Sequence, residues 1–190
     1  PESSAASDVY KRQAAAGGVG QIVCQWAKSL GATVIGTVGS PEKADLARNL
    51  GCDHPILYRE EDFVSRVAEI TDGAKLPVVY DSVGADTFNK SLDCLRPRGM
   101  LVAFGQSSGP VPPLDIGILA QKGSLFLTRP TLMSYTATRA DIVAAADDLF
   151  AAVAAGHVKI SVEQRFALAD TRAAHEALEA RQTTGSTILL

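Results

Sequence analysis

The run Ala14-Ala15-Ala16-Gly17-Gly18-Val19-Gly20 leads directly into a segment whose apolar residues, Ile22, Val23, Trp26, Ala27 and Leu30, share one helical face. A turn of small residues feeding a helix lets main-chain N–H groups approach a diphosphate, and the helix start supplies a partial positive charge. Gly17 provides for close approach of the phosphates, and Gly20 for tight packing of the helix on its neighbouring strand. Ala15 stands where the common fingerprint has its first glycine, so the motif reads A-x-G-x-x-G. Turns of this kind occur in many α/β proteins, so the rest of the chain has to supply the context.

Downstream the pattern alternates. A β-branched run at residues 33–38 predicts a strand. Ser40 caps the following helix and Pro41 opens it, with Gly51 ending it. Further strands are expected at 54–57, 76–81, 100–104 and 124–128, and helices at 60–70, 85–95, 116–122 and 138–155. Strands and helices alternating at this pitch define an α/β fold with a doubly wound parallel sheet. The stretch before Ala14 is the anomaly: a buried parallel strand reads as a nearly continuous apolar run, yet Val9 and Tyr10 are followed by Lys11 and Arg12. Residues 1–13 are therefore read as an atypical, non-native leader and the first strand as doubtful. Residues 14–157 form the nucleotide-binding domain. The tail, 158–190, adds a strand, a helix and a terminal apolar strand that a doubly wound sheet does not need, and reads as part of a second domain.

Composition narrows the class. With 46% apolar residues, 21% charged residues and a net charge of −3, the chain is globular and has no electrostatic reason to bind nucleic acid or an acidic membrane. No apolar run approaches the roughly 20 residues of a membrane span, and no secretory signal is visible. Cys24, Cys52 and Cys94 are too few and too widely spaced for a zinc site or a disulfide framework, and read as small buried hydrophobes in a reduced, cytoplasmic setting. No metal site is expected. His54, His157 and His175 read as structural, and no Ser/His/Asp set or carboxylate pair argues for a hydrolase. Tyr135 has Arg139, not lysine, four residues on, which disfavours a short-chain dehydrogenase.

The choice of dinucleotide turns on an absent acid. Sites for NAD place Asp or Glu about 20 residues past the glycines; here that stretch is Thr37-Val38-Gly39-Ser40. Its lack of a carboxylate admits a 2′-phosphate and disfavours S-adenosylmethionine. Lys43, in the first turn of a helix, opposes the helix dipole unless an anion lies there, and is otherwise an ordinary solvated lysine. Tyr58 and Arg59 follow the next strand and can reach the same phosphate or lie against adenine. Ligands on such sheets sit beyond the carboxyl ends of the strands, which adds Ser82-Val83-Gly84, Gly105-Gln106-Ser107-Ser108 and Pro130-Thr131-Leu132.

These segments, with Cys24-Gln25-Trp26-Ala27-Lys28, Tyr58-Arg59-Glu60-Glu61-Asp62, Val79-Tyr80-Asp81-Ser82-Val83-Gly84, Ser91-Leu92-Asp93-Cys94-Leu95, Gln121-Lys122-Gly123-Ser124-Leu125 and Thr128-Arg129-Pro130, resemble the NADPH:quinone oxidoreductases. These are the zeta-crystallin-like branch of the medium-chain dehydrogenase/reductases, and the likeness is close to bacterial members. It runs from Ala14 to the C-terminus. The resemblance implies NADPH as cofactor and flavin- and metal-free reduction of a small-molecule quinone. It implies that Gly18 and Val19, between the motif glycines Gly17 and Gly20, face the pyrophosphate, and that Gly39, Ser40, Lys43 and Tyr58 bind the 2′-phosphate region. Val83 would line the groove, Gly105, Gln106, Ser107 and Ser108 would follow the cofactor, and Pro130, Thr131 and Leu132 would meet the nicotinamide. Arg181 would also reach the cofactor; no catalytic side chain is assigned. The family's N-terminal GroES-like catalytic domain is expected to be missing from this sequence, and the tail to be its C-terminal remnant. A homodimer through the edge strand from Ser124 to Thr128 is also implied, since an apolar sheet edge invites pairing. The rival expectation is a non-catalytic NADPH-binding module or an inactive fragment.

Overall fold

Where β-branched residues cluster the chain is extended, and where apolar residues recur at helical spacing it coils. The computed structural model describes residues 9–12, 14–180 and 182–190. Among them the order is β1 (Val9–Arg12), α1 (Gly18–Ser29), β2 (Thr33–Val38), α2 (Pro41–Asn49), β3 (His54–Leu57), α3 (Phe63–Ile70), β4 (Leu76–Asp81) and α4 (Phe88–Asp93). There follow β5 (Leu95–Ala103), α5 (Gly117–Gln121), β6 (Phe126–Thr128), α6 (Leu132–Tyr135), α7 (Arg139–Ala154), β7 (Val162–Phe166), α8 (Thr171–Glu179) and β8 (Ser186–Leu189). Strands β1 to β6 make one all-parallel sheet in the order β3-β2-β1-β4-β5-β6, and β7 pairs in parallel with β8 alone.

Helices cover both faces of the large sheet. On β2, Val34 joins Ala15, Cys24, Ala44, Ala47 and Cys52 beneath α1 and α2. Its neighbour Ile35 points the other way, into Ile56, Phe63, Val67, Val79, Leu92 and Leu101 beneath α3 and α4. Burying each large aliphatic of that second cluster contributes about 1.5–3 kcal/mol. The three cysteines are free and buried. A hydrogen bond to Cys24 and shielding from water hold the Cys52 thiol far above its ordinary range, and burial pushes Cys94 to about 11. Inert packing is what that environment allows.

Four expectations need correction. The doubtful first strand exists: β1 lies at the centre of the sheet, between β2 and β4. Lys11 is fully buried within it, its Nζ 3.9 Å from the Phe63 ring centroid and without a hydrogen-bond partner. Burial lowers its pKa from 10.5 to about 8, against the opposing influence of Cys94 and Asp81. A lysine stem is four methylenes long and fills apolar space like any aliphatic chain; polarity alone was a poor guide here. The helix expected over 85–95 begins only at Phe88, because residues 84–87 form a turn tied to Asp81. The strand expected over 100–104 extends back to Leu95. Helix α6 was not anticipated, being a single turn capped by Thr131.

The tail is thinly packed. Val158 and Ala174 are buried, but Leu168, Leu178 and Leu190 are exposed, the last at 69%. A bridge from Gly17 to Gly185 and a side-chain contact from Gln25 to Lys159 join it to the turn after β1 and to α1.

Candidate functional site

All six strands of the large sheet run the same way, so their carboxyl ends share one edge. The strand order reverses between β1 and β4, which opens a crevice there. The residues singled out from the sequence follow these strand ends one after another: 17–20 after β1, 39–43 after β2, 58 after β3, 83 after β4, 105–108 after β5 and 130–132 after β6. Arg181 lies outside the described residues.

The turn after β1 is shaped by steric exclusion. Gly17 N–H donates to Ala14 O at 3.1 Å, and Ala15 N–H ties the turn to β2 through Thr37 O at 3.1 Å. A Cβ on Gly20 would lie 2.2 Å from Ala14 O and 2.7 Å from Ala15 O, so no other residue fits there without moving main chain. Ala15, at the first-glycine position, is accommodated from across the sheet. A Cβ on Gly36 would come within 2.6 Å of the Ala15 methyl and 2.7 Å of Cys52 Sγ. Helix α1 then starts with Gly17 as its cap, no side chain bonded to its first N–H groups and no acid in its first turn. Gly17 and Val19 are exposed and Gly18 is half-buried. Amides at a helix start, with the dipole behind them, favour an anion. No side chain of α1 closes this end, and the Gly185 carbonyl of the tail lies beside it, 3.1 Å from a Cβ placed on Gly18.

Beyond β2, Gly39 leads to Ser40, whose side chain caps α2 by accepting from Lys43 N–H at 3.4 Å. Lys43 is half-buried in that first turn. Tyr58 returns its N–H to Val38 O, and its hydroxyl would lie 3.3 Å from a Cβ on Gly39, with Arg59 Nε at 3.7 Å. Gly39, Tyr58 and Arg59 thus converge. One acid was missed: exposed Glu42 is held below its ordinary pKa by a hydrogen bond from Ser40. Nothing in sequence spacing signals that bond, since Glu42 also suits the helix start by its charge.

The loops after β4 and β5 are knitted together. Ser108 N–H and its hydroxyl both reach Val83 O at 2.8 Å, and Ser107 N–H reaches Ser82 O. Gly84 (φ +92°) and Gly105 are needed for the approach, because a Cβ on either would fall within 2.6 Å of facing main chain. Beneath them Asp81 is buried and accepts from Val83 N–H, Gly84 N–H, the Thr87 hydroxyl and the Ser91 hydroxyl. Sequence reasoning gave Asp81 no such role; the available signal was an acid closing an apolar strand just before Ser-Val-Gly. After β6, Thr131 caps α6, whose Leu132, Met133 and Tyr135 are exposed, Met133 at 80%. No group of three His, Cys, Asp or Glu among the described residues could hold a metal ion, and no described helix is long and apolar enough to cross a membrane.

A parallel sheet in this order, with a glycine turn at its crevice that no side chain caps, defines a dinucleotide-binding domain of the doubly wound class. Comparison with known proteins gives the particular family. Residues 18–152 match the family model described as zinc-binding dehydrogenase. The chain is 58% identical over 177 residues to a quinone oxidoreductase of Pseudomonas aeruginosa, covering 93% of this chain and 54% of that protein. It is 51% identical over 181 residues to a 2-haloacrylate reductase of Burkholderia, again covering 93% and 54%. The solved structure of Escherichia coli quinone oxidoreductase complexed with NADPH superposes with a TM-score of 0.93 at 52% identity, covering 96% of this chain and 57% of that one. The chain belongs to the zinc-binding dehydrogenase family, and within it resembles the quinone oxidoreductases of the medium-chain dehydrogenase/reductase superfamily. It spans about half the length of the curated relatives it matches.

Proposed function

We propose that the chain is the cofactor-holding part of an NADPH-dependent, flavin- and metal-free quinone reductase. The observation that carries this reading is the start of α1, which no side chain caps, beside a β2 end, Thr37-Val38-Gly39-Ser40, that holds no acid where an NAD site has one. In this reading the Gly18 to Gly20 amides face the diphosphate, and Gly17, its own N–H spent on Ala14 O, lets the phosphates approach. Gly39, Ser40, Lys43 and Tyr58 hold the 2′-phosphate end, with Arg59 beside them. Val83 and residues 105–108 line the groove, rigid because Asp81 and Ser108 fix both loops. Pro130, Thr131 and Leu132 border the nicotinamide end, and Arg181 belongs to the same set. When bound, the nicotinamide supplies the reducing equivalents, and the protein's part is position and electrostatics.

The tail from residue 158 belongs, in this reading, to a catalytic domain. Its two-stranded sheet and exposed leucines support that, since two strands alone are marginally stable. Strand β6 ends the large sheet with Phe126 and Leu127 exposed, which supports a homodimer through this edge. The reduced, buried thiols fit a cytoplasmic setting. A second reading, an NADPH-binding module without turnover, is favoured by the exposed apolar residues of α6, where a substrate cleft would need another wall.

Titration of NADPH and NADH by fluorescence separates these readings from failure of both, and loss of NADPH absorbance with benzoquinone separates them from each other. Lys43→Ala is expected to weaken NADPH binding by roughly tenfold or more, the usual worth of a charge-assisted hydrogen bond, and to leave NADH unchanged. Equal loss for both cofactors would remove Lys43 from the phosphate site.

A further inference from the structure

Helix α1 carries two glutamines one turn apart, buried Gln21 and half-buried Gln25, and each side-chain amide is spent on main chain. Gln21 is 3% exposed, and its Nε2 donates to Ala16 O at 3.0 Å. The same carbonyl receives the Gly185 N–H at 3.5 Å. The Ala16–Gly17 peptide is therefore held on both sides, its carbonyl by Gln21 and Gly185 and its N–H by Ala14 O. Gln25 repeats the device one turn on. Its Oε1 accepts from Lys159 N–H at 2.9 Å, and its Nε2 donates to Lys159 O and to Gln21 O, both at 3.1 Å. An amide side chain here imitates a strand neighbour, pairing with both polar groups of one tail residue.

The tail is tied to itself at the same place. Ser186 N–H donates to Ser161 O at 3.0 Å, which links the two points where Gln25 and Ala16 grip it. Gly185 must be glycine, with φ +61° and a prospective Cβ 3.1 Å from Ser161 O and 3.4 Å from Gln21 Nε2. A closed circuit results: turn, Gly185, Ser161, Lys159, Gln25, Gln21 and back to the turn.

We infer that Gln25 is a positioning residue that couples the seating of residues 159–161 and 185–186 to the shape of the Gly17–Gly20 turn. This rests on the reading of that turn as the diphosphate site. With the circuit closed, the Ala16–Gly17 peptide is fixed before ligand arrives, and ligand on the Gly18 to Gly20 amides holds the tail in return. Such linkage is reciprocal by thermodynamic necessity. Met has nearly the length of Gln and no amide, so Gln25→Met removes both bonds to Lys159 while keeping the stem.

The experiment is hydrogen exchange on the full chain with and without NADPH, alongside fluorescence titration. In the unaltered protein NADPH is expected to slow exchange at Lys159, Gly185 and Ser186. In Gln25→Met those amides should exchange faster without ligand, NADPH should no longer slow them, and NADPH binding should weaken about three- to tenfold, the range for loss of ordinary hydrogen bonds. Lys28→Met, which removes the exposed Lys28–Asp53 ion pair on the same helix, controls for general loosening of α1 and should leave NADPH affinity and ligand protection of the tail intact. Unchanged affinity and retained protection in Gln25→Met overturn the proposal, as does the same loss of protection in Lys28→Met. If the unaltered protein binds no NADPH, the functional reading has failed. Exchange at Lys159 without ligand then still decides whether Gln25 holds the tail, and an unchanged rate there refutes the contact.

Discussion

The six-stranded sheet and the β7–β8 pair are both parallel and end in opposite conditions. In the sheet Ile35, Val79 and Leu101 are sealed between helices, and even the polar groups at the strand ends are satisfied by Asp81 and by paired loops. In the tail, leucines at 168, 178 and 190 face solvent, and attachment to α1 relies on side-chain amides and one bridge. The difference teaches that a parallel sheet becomes self-sufficient once both faces are covered, whereas a strand pair remains dependent on whatever holds it. Opening the tail should therefore cost far less than opening the sheet.

Three substitutions test that contrast. Asp81→Ala orphans two main-chain N–H groups and two hydroxyls in a buried site, and should lower global stability by about 4 kcal/mol. Denaturant unfolding would show it, with the whole sheet lost in one transition. A loss below about 1 kcal/mol would mean that the loops hold without it.

Lys11→Met should act in the opposite direction. Unfolded, the amine titrates near 10.5, and folded near 8. Between those values the unfolded chain binds a proton that the folded chain does not, so stability rises with pH through this window, and below about pH 8 the penalty of burying the amine is complete. The depression corresponds to about 3 kcal/mol. The variant should gain about that much at pH 7 and lose most of its advantage by pH 10.5. Parallel pH curves for both proteins would show that the amine reaches water.

Val158→Ala is the mildest. Val158 is 1% exposed, so truncation should cost about 1–2 kcal/mol. Its effect is expected in faster exchange across residues 158–166 and 185–189, without a shift in protection of β2 or β4. Uniform loss across the molecule would instead make the tail part of the same cooperative unit as the sheet.

Much of the architecture was legible because it is local. Ser40-Pro41 opened α2, Gly51 closed it, and the β-branched run at 33–38 became β2 with both faces buried. The doubly wound order followed from alternation. The first strand escaped because its polar letters concealed a long aliphatic stem, and its place is fixed by ladders to β2 and β4 that no local pattern encodes. In the site, single residues such as Gly20 and Ser40 were readable from position in a motif. The Asp81 hub, the Ser108–Val83 stitch and the Glu42–Ser40 bond join residues that only the fold brings together, so spacing held no trace of them.

Position 36 carries one more consequence. The hydrogen that a standard fingerprint keeps at its first glycine has, in this chain, been transferred to the adjacent strand, where Gly36 yields volume to a methyl on one flank and a sulfur on the other. Positions 15, 36 and 52 thus form a steric triplet in which any growth at the middle member demands shrinkage at both outer ones. A designer restoring three glycines to the turn would open a gap, and one enlarging residue 36 would push the turn off its strand.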